Sequence, residues 1–221
     1  MVGGGWGCGR VDDGLVEGSS LTVLQLRVFV REISPLIWRR VVIADDASLA
    51  DLHSLLQVCF GWSDGHLHRF RIHGIEYGIW REGCAGYDKD ARSVRLAELG
   101  LRVGERFVYE YDFGDWWVHD LRVEAIRPAG AGERLPCCVG GRRAGPPEDC
   151  GGPPGFMAWE DSHSLFELID KARDLLAGVP VDVVFDDGER ADLLAWVRRD
   201  RFDRREVNQQ LDQLDSWEVP A

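Results

Sequence analysis

Two acids and a histidine crowd one turn of this chain: Asp112, Asp115 and His119, in ERFVYEYDFGDWWVHDLRVE at residues 105–124. Carboxylates and an imidazole gathered in one cleft can hold a divalent ion that activates water, the chemistry of a metal-dependent hydrolase or nuclease. His66 and His68 stand two apart, so on a strand both rings project to one face, a spacing metal sites use. Glu148 and Asp149, in PPEDCGGPPG, are acids that a loop folded back on the sheet would bring to the same place. Asp112, Asp115, His119, Glu148 and Asp149 form the candidate polar site. His66, His68, His119 and Asp115 are the candidate ligands of a divalent metal, the one cofactor these residue types suggest. Trp62, Trp116 and Trp117 are candidate contact anchors, because tryptophan is enriched among residues that dominate interfaces. The competing reading needs no ion: the same groups cap the turn and knit the loop to a sheet by hydrogen bonds.

The elements that must position these residues follow from periodicity. Phe107, Tyr109 and Tyr111 alternate with Val108, Glu110 and Asp112; after Phe113-Gly114-Asp115, Trp117, His119, Leu121 and Val123 share one face. Two alternating runs around a glycine-containing break read as a β-hairpin. LTVLQLRVFV at 21–30 is a strand with apolar groups on both sides, and IWRRVVI at 37–43 follows after Ser34-Pro35 as its antiparallel neighbour. Ser48 and Asp51 form a capping box, and Leu49, Leu52, Leu56, Cys59 and Phe60 recur at helical spacing up to Gly61, predicting a helix over 49–60. His66, His68, Phe70 and Ile72 lie on one strand that turns at Gly74, and 81–95 reads as an exposed polar loop. Residues 128–155 hold eight glycines and six prolines, too many for a helix or central strand. Their mixture of stiff and permissive residues predicts an ordered loop packed on the core. The part from 164 to 215 is helical, with a second capping box at Ser164 and Glu167 and a stripe of Leu165, Leu168, Ile169, Ala172, Leu175 and Leu176. VDVVF at 181–185 reads as a short strand. The expected fold class is α+β: a mixed, mainly antiparallel sheet with helices packed on it, in a single domain over 21–215.

Lys+Arg 26 against Asp+Glu 38 gives a net charge of -12, which opposes binding to phosphate backbones and anionic membranes. The cationic run RRDRFDRRE at 198–206 is interleaved with acids and reads as a solvated surface. No apolar run approaches a membrane span, and the first twenty residues read as a flexible Gly-rich leader, not a secretion signal. Six cysteines without a CxxC pair suggest free thiols in a reducing cytoplasm, with Cys59 standing alone.

Several separated motifs then resemble one family, named after open reading frame three of plasmid pRiA4b and also known as a TnpR-like insertion-element passenger protein. They are SPLIWRRV at 34–41, LADLHSLLQVCFGWSDGHLHRF at 49–70, YEYDFGDWWVHDLRVE at 109–124, PCCVGGRRAGPPEDCGGPPGF at 136–156 and FDRREVNQQL at 202–211. The resemblance implies an α+β domain often found beside mobile-element genes, with no established biochemical role. Such members often carry a cysteine where this chain has Gly145, and their link into the final FD…VN segment is shorter than residues 164–187 here. No nucleophilic serine in an arginine-rich setting supports a resolvase mechanism.

The reading that best fits these features is a non-enzymatic binding or accessory module for a protein or peptide. A metal-dependent hydrolase or nuclease is the alternative, and a DNA-associated protein the second alternative. The chain leaves oligomeric state open.

Overall fold

The computed structural model describes residues 21–80, 86–185 and 187–214; the expected leader 1–20, Cys8 and Cys84 lie outside them. Eight strands form one sheet in the order β5-β4-β3-β6-β7-β1-β2-β8. They are β1 (Thr22–Val30), β2 (Trp38–Ala44), β3 (His68–Ile72), β4 (Ile75–Gly78), β5 (Lys89–Asp90), β6 (Arg106–Tyr111), β7 (Trp117–Pro128) and β8 (Cys137–Arg142). Every pairing is antiparallel except β4 with β5. With six helices among the described residues, this is the expected α+β class.

The predicted hairpin is β6–β7, with Tyr109 opposite His119 and Tyr111 opposite Trp117. All four side chains are buried, because the period of two sends this parity to the covered face. The other face carries charge, where Arg40 and Gln25 reach Glu124 and Arg31 reaches Asp120 across neighbouring strands. Helix α1 (Leu49–Phe60) covers the apolar face, burying Leu49, Leu52, Leu55, Leu56 and Phe60 against it. Its start is the capping box expected: Asp51 N donates to Ser48 Oγ at 3.1 Å and Ser48 N to the Asp51 carboxylate at 2.6 Å. Gly61 ends it at φ 78°, a conformation that carries little penalty without a Cβ.

Three local readings are corrected. The glycine–proline stretch is not all loop: it contains edge strand β8 and the start of helix α2 (Gly152–Ser162). Pro153 and Pro154 occupy the first helical turn, where a missing N–H costs nothing, and Gly151 enters at φ 86°. The stretch VDVVF is not a strand; Val181–Val184 forms the short helix α4 beside α3 (Leu165–Leu176). Between 86 and 95 the chain is not a plain exposed loop either, since it supplies β5 and the turn Ala91–Ser93, and buries Tyr87 and Ala91.

Helices α5 (Asp187–Arg198) and α6 (Arg204–Gln213) complete the chain. On α6, Asn208 accepts from Cys138 N and donates to Cys138 O, both at 2.8 Å. One side-chain amide thereby imitates a neighbouring strand and closes part of the open edge of β8.

Candidate functional site

The turn between β6 and β7 is built by Asp112. Its backbone is left-handed (φ 56°), and its Oδ1 accepts from Gly114 N at 2.9 Å and Asp115 N at 3.3 Å. Aspartate tolerates this conformation because its short side chain can bond its own turn. Above the turn lies the glycine–proline flap, tied down at four points. Trp62 Nε1 donates to Pro146 O at 2.9 Å, Ser63 N to Glu148 Oε2 at 3.1 Å, Tyr111 Oη to Glu148 Oε1 at 2.5 Å and Gly151 N to Asp115 Oδ2 at 3.1 Å. Burial, followed by the bond to Glu148, raises the Tyr111 phenol above its ordinary range and keeps it a donor.

The flap therefore brings Glu148 and Asp149 to the hairpin, and at the rim Asp149 meets His66. Its Nδ1 is 3.6 Å from Asp112 Oδ1 and its Nε2 is 3.3 Å from Asp149 Oδ1. One ligand atom from each of these three residues falls within 4.8 Å of the others. Trp116, exposed, and Phe113 sit on the same turn and take the guanidinium of Arg69 at 5.6 and 5.3 Å.

The expected metal set of His66, His68, His119 and Asp115 is not assembled among the described residues. His66 precedes β3 and turns to the rim, while His68 lies in the strand and is buried, so the two rings part company. His68 stacks on His53 with ring centroids 3.4 Å apart. His119 is enclosed by Phe60, Trp62 and Tyr109, with centroids 4.9 to 5.3 Å away. Burial lowers its pKa to about 3, so it is a neutral core ring. Asp115 serves Gly151. Of the three tryptophans, Trp62 and Trp117 are buried and pack the core; they are not surface anchors. Only Trp116 keeps an open face.

Two features escaped the sequence reading. His53, on α1, contacts Tyr109 Oη at 2.8 Å through Nδ1 and Asp64 Oδ1 at 2.8 Å through Nε2. Gln57 donates to the same Tyr109 hydroxyl at 2.9 Å and accepts from Asp64 N at 2.9 Å. With Asp64 and His68, His53 also makes a second cluster of ligand-type side chains. The available signal was position: His53 falls four residues after Leu49 and three before Leu56, on the apolar stripe. The second feature is Cys59, which does not stand alone. It neighbours Cys138 of β8, whose Sγ donates to Gly140 O at 3.4 Å; the proximity of the two thiols raises Cys59 and lowers Cys138. Beside them Arg39 is buried, donating to Cys59 O at 2.7 Å, Trp38 O at 2.9 Å and Arg142 O at 3.1 Å. Its guanidinium lies between the rings of Phe60 and Phe202, and burial lowers its pKa to about 10. Nothing local marks a thiol contact between residues 79 apart.

The profile of the plasmid pRiA4b ORF-3-like protein family matches residues 22–211. The chain belongs to this family. It is 36% identical over 137 residues to the uncharacterized protein y4hQ of Sinorhizobium fredii, a match that spans 62% of this chain and 70% of that protein. The crystal structure of a protein of unknown function, MM3350 from Methanosarcina mazei Go1, is similar with a TM-score of 0.63 and 27% identity. That likeness covers 85% of this chain and 97% of the archaeal one. The archaeal protein thus shares the fold of this chain. In this chain a Cβ at Gly145 would lie 1.9 Å from the Phe60 carbonyl oxygen, so the backbone fills that space.

Proposed function

We propose that the protein is a non-enzymatic binding module, acting in the cytoplasm as an accessory of a mobile element, and that its rim takes cationic side chains of a partner protein. The observation that supports this reading is how the acids are employed. Asp112, Asp115 and Glu148 accept hydrogen bonds that hold turn and flap together, which makes them poor at leaving their partners for a reaction. Asp149, His66 and Trp116 remain open to solvent in whole or part. Carboxylates beside an aromatic face suit lysine or arginine, through charge and through the negative face of the ring. The net charge of -12 would steer such a partner inward.

A second reading is supported by the closeness of the His66, Asp112 and Asp149 donor atoms, which suits a divalent cation. One experiment separates the two. Labelled lysine/arginine-rich and glutamate/aspartate-rich peptides are titrated by fluorescence anisotropy, with and without zinc, manganese or magnesium. The binding reading expects the basic peptides to be retained without metal. It also expects affinity to fall at least about fivefold in Asp149→Asn or Trp116→Ala and to weaken with salt. Equal affinity for both peptide classes, or metal-dependent cleavage of a phosphodiester or ester substrate, would overturn it.

A further inference from the structure

Helix α3 has no buried residue, yet it is strongly amphipathic. Leu165, Ile169, Ala172 and Leu176 follow each other at spacings of four, three and four, the seam of a two-stranded coiled coil. All four are exposed: Leu165 by 62%, Ile169 by 53% and Leu176 by 90%, with Ala172 also open and Phe166 beside them at 80%. The opposite side is already used, for Lys171 pairs with Glu189 of α5 and lies over the Phe185 ring. A helix held by one face with an apolar seam on the other is a surface lacking its cover.

We infer that a second copy of this chain covers it, with the two α3 helices packed antiparallel about a twofold axis. Three observations select this occupant. First, the seam is self-complementary when reversed. Leu165 meets Leu176 of the second copy, and Ile169 meets Ala172, so each large side chain sits over a small one at the centre and the axes can approach closely. Second, reversal opposes the two helix dipoles and brings Arg173 of the second copy, exposed beside the seam, towards Phe166. Third, the area is of the right order. Leu165, Phe166, Ile169 and Leu176 expose on the order of 500 Å². Counted over both copies this comes to about 1,000 Å², the size of a weak, specific interface. Such a modest apolar contact makes a reversible dimer, not an obligate one.

Sedimentation equilibrium of the full chain, from about 1 to 200 μM, tests the proposal. The expected result is a mass that climbs from one chain towards two with concentration. In Ile169→Glu it stays at one chain, with the far-UV circular dichroism and melting temperature of dilute wild type. Orientation is read separately by mixing Leu165→Cys with Leu176→Cys. Antiparallel packing expects the disulfide-linked pair between the two variants to form several times faster than either like pair, identified by peptide mass. A wild type that remains one chain at 200 μM overturns the proposal, and so does a dimer that Ile169→Glu leaves intact. Faster like-with-like crosslinking overturns the antiparallel arrangement.

Discussion

The hydrogen bonds around Tyr109 can be followed proton by proton. The Asp64 carboxylate only accepts, so His53 carries a proton on Nε2, and the neutral ring offers a lone pair at Nδ1. The Tyr109 hydroxyl then donates to Nδ1 and accepts from Gln57, whose amide oxygen takes Asp64 N. Every donor in this circuit meets an acceptor, which is why four polar groups persist under α1. The neighbouring His119 has no such provision: neither ring nitrogen has a hydrogen-bond partner among the described residues. Folded, it binds a proton only below about pH 3; unfolded, it does so below 6.5. Between these values the unfolded state holds more protons, so the contribution is complete above pH 6.5. It falls by about 1.4 kcal/mol per pH unit as the solution is acidified. Urea unfolding from pH 7.5 to 4.5 should display that slope, and His119→Phe should flatten it. An identical slope in the variant would assign the acid sensitivity elsewhere.

Among the elements, the flap and α2 depend on backbone freedom at Gly152. This residue has φ 67°, and a Cβ there would lie 2.1 Å from the Asp115 carbonyl oxygen. The close approach is what allows Gly151 N to reach the Asp115 carboxylate. Gly152→Ala should therefore lower stability by about 2 kcal/mol or more and free the flap from the turn. Denaturant melts measure the first effect, and faster proteolysis between Arg142 and Phe156 the second; a variant with wild-type stability and cleavage would refute this account. At the same scale, the hairpin, the first two strands and α1 were legible because period and capping are local signals. Strand β8 was not. Its glycines argue against a strand by propensity, and it forms because β2 offers a ladder and Asn208 satisfies its outer side. The partner decided, not the residue preferences.

Across the whole molecule, stability should be graded. The core runs continuously through β1, β6, β7 and α1, whereas α3 and α4 bury nothing. Hydrogen exchange in dilute protein should be slowest in β1 and β7 and fastest in α3 and α4. Raising concentration should slow α3 alone if it is the dimer seam. Uniform protection from α1 through α6 would contradict both statements. The sequence by itself determined the family, the α+β class, the tyrosine hairpin and the return of the flap, because alternation, capping and quoted motifs are written in neighbouring residues. Only the tertiary structure decided which polar groups meet. It separated His66 from His68, sent His119 into the core, brought Cys59 beside Cys138 and placed Asp149 beside His66. Those pairings depend on sheet order and on which side a chain leaves its strand, and neither is encoded in the spacing of the residues concerned.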